Sequence, residues 1–407
     1  KQCLDVIALQ KQETVKAVEQ EVHRTNSAKR VSHNQLTFWQ LQHMYPDSRA
    51  YNLSVPLKLN TQLNREILNR TVNILASRHP MLLTCYREVN GVLVQHLLHE
   101  FEVNVAWENS ASDEIALIQK NMQQDIQLNF KLDIEPPIRY RVYQLSDNTS
   151  ILHIVTHHIA TDIWSLQLMV KELFDIYHQL LKGTTVALES NNYYQAFIEN
   201  QYCLAAKDSF KEQAKLLAQR IEGKVKPVPL VSSIVRPASF AFKGHNIDFR
   251  LSNTLLNKLN ISCSSHRVTL FNYLMAVFQL VLYRYSNESD FIIGTPVSER
   301  EGDSAKNVIG CFVDMKLLPC SFDGDMTFSA LLEKVKADLQ LMLKYRHIPT
   351  SDVINQLAQL PARNSAFQLP NVRFALHKAH ILSSAEMFAL DQDVSINIHD
   401  VTVSSVQ

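Results

Sequence analysis

The 407-residue sequence predicts an α/β protein built as two lobes. Three observations predict it. Up to about residue 220, short apolar runs alternate with stretches whose apolar residues recur at helical spacing. Pro227, Pro229 and Pro237 then cluster in a stretch that reads as an extended connector. After that connector the same rhythm of strands and helices returns. The expected organisation is a polar linker or docking segment over 1–30, an N-terminal lobe over 31–220, the connector over 221–242 and a C-terminal lobe over 243–407.

Each element has its own signal. Ser32-His33-Asn34-Gln35 ahead of Leu36, Phe38 and Trp39 suits a capped helix start. Tyr51–Leu59 reads as a strand, and Arg65–Ser77 as an amphipathic helix. Asn90-Gly91 is a hairpin dipeptide between strands at Met81–Tyr86 and Val92–His96. Ala111–Ile126 is helical. Ile138–Gln144 and Ser150–Thr156 are strands around a Ser146-Asp147-Asn148 turn. Asn192–Arg220 reads as one long helix. In the second half, strands are expected at His245–Leu251, Phe291–Pro296, Phe312–Leu318, Val372–Ala375 and Val394–Ile398. Helices are expected at Asn253–Ser262, Thr269–Tyr285 and Phe328–Tyr345.

Composition excludes several classes of function. Lys plus Arg equals Asp plus Glu, so no charge excess calls for nucleic acid or an anionic membrane. The eight glycines form neither a dinucleotide-binding nor a P-loop fingerprint. The six cysteines are scattered without a C-x-x-C pair, which argues against a zinc ribbon or a disulfide framework and suits buried thiols in a reducing compartment. No stretch reaches the ~18 apolar residues of a membrane helix, and the N-terminus lacks a signal-peptide core. A cytoplasmic protein is expected. The first residue is not methionine, which suggests a piece of something longer.

One junction stands out. Ile151-Leu152-His153-Ile154-Val155 is a nearly continuous apolar run, as in a strand buried on both faces. Ile163, Leu166, Met169, Val170 and Leu173 then recur at helical spacing. His157-His158-Ile159-Ala160-Thr161-Asp162 lies between them. Successive strand side chains face opposite ways, so one histidine is expected to serve structure and the other chemistry. Asp162 sits at the helix start, where the bland alternative is an N-cap. His153, His157 and His158 lack a carboxylate at metal-ligand spacing, so no metal is expected. There is no G-x-S-x-G elbow and no cysteine with a flanking nucleophile motif. A histidine base acting on an incoming nucleophile, in direct acyl transfer, fits this set.

The segment His157 to Ser165 resembles the H-H-x-x-x-D-G-W-S motif of nonribosomal peptide synthetase condensation domains. Other segments resemble the family in the right order: Ser32–Gln35 with Trp39 and Leu41, Arg78-His79-Pro80 with Thr84–Tyr86, Tyr194–Phe197, Ile293–Val297 with Arg300, and Ile309-Gly310-Cys311-Phe312-Val313-Asp314. The resemblance runs from Ser32 to the C-terminus. It implies two chloramphenicol-acetyltransferase-like lobes, arranged as a V-shaped pseudo-dimer around a central tunnel. It implies donor and acceptor carrier domains as partners, with substrates tethered on their phosphopantetheine and no cofactor bound by this chain directly. The implied setting is a nonribosomal peptide or hybrid polyketide–peptide synthetase, in which the chain is monomeric or one part of a multimodular protein.

By this resemblance His158, with His157 and Asp162, is the catalytic group. Ile163, Trp164 and Ser165 are expected near the substrate or its oxyanion, and Gly310 and Asp314 as support for the tunnel. Asp162 is expected to form a structural ion pair, with Arg78 as first choice and Arg300 as second. The chain departs from the family at Ile163, where a glycine is usual, at Leu83 in place of an arginine, and at Asp314 in place of an asparagine. An ester-forming or stand-alone acyltransferase with an alcohol acceptor is the alternative. A further one is a non-catalytic domain that docks carriers and gates a synthetase.

Overall fold

The computed structural model describes residues 28–111, 115–187, 191–224, 228–230, 247, 249, 251–360, 370–376, 395–398 and 401–405. In chain order, strand β1 (Ala28–Arg30) leads to helix α1 (His33–Met44), β2 (Asn52–Leu59) and α2 (Arg65–Arg78). A 3-10 turn at Pro80–Leu83 precedes β3 (Thr84–Val89), β4 (Val92–Leu97) and β5 (Val105–Ser110). Then come α3 (Ile115–Gln127), β6 (Ile138–Leu145), β7 (Ser150–His157), α4 (Ile163–Leu181), α5 (Tyr193–Ala205) and α6 (Asp208–Ile221). The second half adds α7 (Asn253–Ser265), α8 (Leu270–Ser286), β8 (Asp290–Ser298), α9 (Gly302–Lys306) and β9 (Val313–Ser321). It closes with α10 (Phe328–Lys344), α11 (Thr350–Leu357), β10 (Ser395–Ile398) and β11 (Val401–Ser405). No described helix is long and apolar enough to cross a membrane.

The described residues fall into two compact units. The first holds 28–202, 300–312 and the strands at 395–405; the second holds 203–299 and 313–376. The first unit is built on a six-stranded sheet of order β10-β11-β2-β7-β6-β5, in which only β5–β6 is parallel. The continuous apolar run of β7 has its reason here, because the strand is covered on both faces. Leu152 and Ile154 join Val72 and Leu75 of α2 and Met169 and Leu173 of α4 in one core. Ile151 packs on the other face with Ile118 and Met122 of α3. Every residue of β7 is buried. A second sheet, β1-β4-β3, turns at Asn90 and Gly91, both with positive φ, as the hairpin dipeptide requires. The capping box at α1 is formed: Gln35 N–H donates to Ser32 Oγ and Ser32 N–H to Gln35 Oε1.

In the second unit, β8 and β9 pair antiparallel. Phe291 and Ile293 pack with Met275 of α8 and Leu331, Val335 and Leu339 of α10. Ile292, between them, packs the other way with Phe210, Ala214 and Ala218 of α6 and Val353 of α11.

Five expectations differ from the structure. The strand expected at Met81–Tyr86 begins only at Thr84, after the 3-10 turn at Pro80–Leu83. The long helix expected over Asn192–Arg220 is two helices, α5 and α6, separated at Ala206 and Lys207. Tyr194 and Ile198 of α5 bury against Val308 and Phe312, whereas Phe210 and Ala214 of α6 bury in the other unit's core. One straight helix would have to serve two separate cores. The strand expected at Val372–Ala375 is a single parallel bridge from Arg373 to Gly294. The strand expected at His245–Leu251 lies mostly outside the described residues, and Ile247, Phe249 and Leu251 are not in a strand. Residues 28–30, read as linker, form β1 and pair with β4. Residues 1–27 lie outside the described set, as does most of the connector.

Candidate active site

The junction after β7 is built as the change of period predicts. His157 closes β7, and Asp162 is the N-cap of α4, with its side chain accepting from Ser165 N–H at 2.8 Å. His157 is 1 % exposed. Its own N–H donates to Pro137 O, and its Nδ1 accepts the Ile159 N–H at 3.1 Å. Burial, and to a lesser degree the neighbouring His158, push its pKa down to about 3. His157 is therefore neutral at physiological pH and occupied by the turn it holds.

His158 is placed differently. It is half-buried, unlike its neighbours on either side. Its N–H donates to Tyr51 O at 2.8 Å. Its ring stacks on Phe38, centroids 5.0 Å apart at 20°, and its Nδ1 lies 3.7 Å from Cys311 Sγ. Among the described residues Nε2 has no hydrogen-bond partner, so one ring nitrogen is held and the other is open.

Asp162 is 1 % exposed and fully engaged. Oδ1 accepts from Ser165 N–H, lies 2.7 Å from Ser165 Oγ, and accepts from Arg300 Nη2 at 3.1 Å. Oδ2 accepts from Phe312 N–H at 3.2 Å. Arg300 also donates to Ala305 O and Val308 O, and its guanidinium lies 4.1 Å over the Phe312 ring. The carboxylate thus ties the start of α4 to the 300–312 segment.

Arg78, the first choice for this ion pair, is elsewhere. It pairs with Glu172 at 3.1 Å, and His79 Nε2 lies 2.9 Å from the same carboxylate. Arg300, the second choice, is the partner of Asp162 in the structure. Nothing in residue spacing separated the two arginines, because Glu172, the competing carboxylate, lies 94 positions from Arg78.

Ile163 is the first residue of α4 and has no positive φ. The helix start is conventional, so the β-branched side chain is unstrained where the family has glycine. Its N–H occupies a helix position with no intrahelical acceptor. Trp164 Nε1 donates to Lys306 O at 2.9 Å. Ser165 Oγ lies 2.7 Å from both Asp162 Oδ1 and Gly310 O and accepts Gly310 N–H at 3.0 Å, so its single proton serves one of the two acceptors. Gly310 is required by close approach: a Cβ there would lie 2.3 Å from the Tyr194 ring. Leu83 is buried in the core.

Asp314 belongs to the second unit. It accepts from Lys316 Nζ at 2.6 Å and from Thr350 N–H and Oγ1 at 2.9 and 3.1 Å. Burial raises its carboxyl, but Lys316 and Thr350 outweigh that and hold it below the usual range. The aspartate in place of asparagine is matched by a buried lysine. Among the described residues no cluster of three or more His, Cys, Asp or Glu could hold a metal.

Sequence reasoning passed over Phe38, Tyr51 and Cys311 as neighbours of His158. Cys311 was in view, inside the Ile309–Asp314 segment, but an isolated cysteine carries no signal of which side chain it meets.

Residues 27–404 match the family model described as Condensation domain. The chain belongs to the condensation-domain family. Condensation domains are acyltransferase-type enzymes that form amide bonds between carrier-bound substrates in nonribosomal peptide synthetases. This condensation domain is 28 % identical over 351 residues to a linear gramicidin synthase of Brevibacillus parabrevis, covering 85 % of the chain but 7 % of that protein. It is 26 % identical over 376 residues to the bassianolide nonribosomal cyclodepsipeptide synthetase of Beauveria bassiana, covering 89 % of the chain and 12 % of the synthetase. The chain therefore spans a small part of these relatives.

Among solved structures, it is similar to a four-domain nonribosomal peptide synthetase bound to AMP and glycine, with a TM-score of 0.78 at 22 % identity, over 94 % of this chain and 29 % of that one. It is also similar to the first condensation domain of the calcium-dependent antibiotic synthetase, with a TM-score of 0.73 at 14 % identity, over 92 % and 83 %. Those likenesses give the fold, two lobes of the chloramphenicol-acetyltransferase type; among the described residues no sheet closes on itself.

Proposed function

We propose that this condensation domain transfers an acyl group from a carrier-protein thioester to the amine of a carrier-bound acceptor, with His158 as general base. The observation that carries this reading is the contrast between adjacent histidines. His157 is buried, neutral and committed to the Ile159 amide. His158 is half-buried, fixed at Nδ1 and open at Nε2 among the described residues.

The chemistry follows from the acceptor. A free α-amine has a pKa of about 8 and is partly protonated at pH 7, a form that cannot attack. A neutral imidazole within hydrogen-bond reach takes a proton as the amine attacks the thioester carbonyl. The C–N bond forms and the C–S bond breaks as the tetrahedral species collapses. The proton held by His158 then passes to the departing thiolate of the donor's phosphopantetheine. In this reading the Ile163 N–H, at the start of α4, donates to the transient oxyanion. Asp162, Arg300 and Ser165 act as scaffolding that fixes this helix start. The partners in this reading are donor and acceptor carrier domains of a nonribosomal peptide or hybrid polyketide–peptide synthetase.

The test loads one carrier with an acyl donor and a second with an amine or a hydroxyl acceptor, and measures product mass with wild type and His158→Ala. An amide product that disappears in His158→Ala is expected. Product from hydroxyl acceptors alone would favour the ester-forming reading. No product from any pair would support a docking role, and product unaffected by His158→Ala would remove His158 from the chemistry.

A further inference from the structure

We infer that Cys311 is a positioning residue for His158: its sulfur accepts the Nδ1 proton and so leaves Nε2 as the basic nitrogen. This rests on the reading of His158 as general base.

The geometry is specific. Cys311 Sγ lies 3.7 Å from His158 Nδ1, within the range of a hydrogen bond to sulfur. The cysteine is fully buried, and its backbone is pinned on both sides. Its carbonyl accepts from Tyr194 Oη at 2.8 Å. Gly310 before it donates its N–H to Ser165 Oγ, and Phe312 after it donates its N–H to Asp162. The sulfur therefore has little freedom. His158 is equally restrained, by Phe38 stacked on its ring and by its N–H to Tyr51 O.

A neutral imidazole carries one proton, on Nδ1 or on Nε2, and the partner of one nitrogen sets the role of the other. If the thiol donated to Nδ1, Nε2 would keep the proton and could accept none. If Nδ1–H donates to sulfur, a weak acceptor, the Nε2 lone pair is free. Only the second arrangement allows the open nitrogen to act as the base. The chain that carries Cys311 also carries Asp162's two main clamps, Arg300 and the Phe312 amide. Locking α4 to that segment thus also locks the sulfur against the base.

Two readouts on the 407-residue chain test this. Two-bond ¹H–¹⁵N correlation spectra of ¹⁵N-histidine protein near pH 8, with the His158 signals assigned by their loss in His158→Gln, should show the Nδ1–H tautomer in wild type. They should show a mixture of tautomers in Cys311→Ala. The wild-type spectrum alone decides if the variant folds poorly: an Nε2–H tautomer there overturns the inference. In the acyl-transfer assay, Cys311→Ala should lower kcat about tenfold with KM within about twofold, a smaller loss than the ~10²–10⁴-fold expected for a missing base. Cys311→Ser, which keeps a hydrogen-bonding group, should recover most of it. If His158→Ala is inactive while Cys311→Ala matches wild type in tautomer and kcat, Cys311 has no such role. If His158→Ala turns over normally, the general-base reading itself fails. An acyl group found on Cys311 by intact mass during turnover would make it a nucleophile and overturn the positioning role.

Discussion

His157 and His158 differ by one position and by almost everything else. Alternation along a strand predicted that they would face opposite ways, but it could not say which one would be buried. His157 also gives a pH dependence with a definite sign. Its pKa is about 3 in the folded chain and ~6.5 in the unfolded one, so the unfolded state binds the proton first. The stability it contributes is fully present above pH ~6.5 and is lost at about 1.4 kcal/mol per pH unit as pH falls toward 3. Urea unfolding of wild type and His157→Asn at pH 7.5 and 5.5 checks this. The asparagine keeps an acceptor for the Ile159 amide but does not titrate. Wild type should lose about 1 kcal/mol more than the variant over that interval, and an equal loss would mean that His157 is not held neutral by the fold.

Among the elements, the site is a helix start clamped to a segment remote in sequence. Asp162 caps α4 and, through Arg300 and the Phe312 amide, ties it to residues 300–312. The cap was legible in the sequence, because an aspartate precedes an apolar helical pattern. The choice of arginine was not, because Arg78 and Arg300 are equivalent until the fold gives Arg78 to Glu172. Removing Arg300 should leave a buried carboxylate with its counter-charge gone. Breaking such a pair costs about 3–5 kcal/mol. Arg300→Ala should lower the denaturant midpoint with little change in m-value, and Arg300→Lys should recover only part, lacking the second arm that reaches Ala305 O and Val308 O. A variant as stable as wild type would show the pair to be dispensable. The Asn192–Arg220 stretch failed as one helix for a related reason. Its helical periodicity is real in both halves, but local periodicity does not reveal that two cores claim it.

At the scale of the molecule, the two-lobe α/β organisation was legible because each half repeats buried strand and amphipathic helix on its own. The segment that crosses between groups was not, since Arg300–Phe312 sits between β8 and β9 in the chain yet belongs with the first unit. The division makes a prediction of independence. Asp314→Asn restores the family's residue but leaves Lys316 with Glu299 at 4.0 Å as its remaining carboxylate. The second unit should lose up to about 3 kcal/mol, read by chemical denaturation. The His158 tautomer, set within the first unit, should not change. An Asp314→Asn protein as stable as wild type would mean that the Asp314–Lys316 pair contributes nothing net.

In the proposed reaction, one open histidine nitrogen, Nε2 of His158, supplies the base. The decisive measurement is single-turnover amide formation between loaded carriers, followed for wild type and His158→Ala. The rate should be ~10²–10⁴-fold lower in the variant, with its urea unfolding unchanged. A folded His158→Ala that forms amide at the wild-type rate would remove His158 from the chemistry.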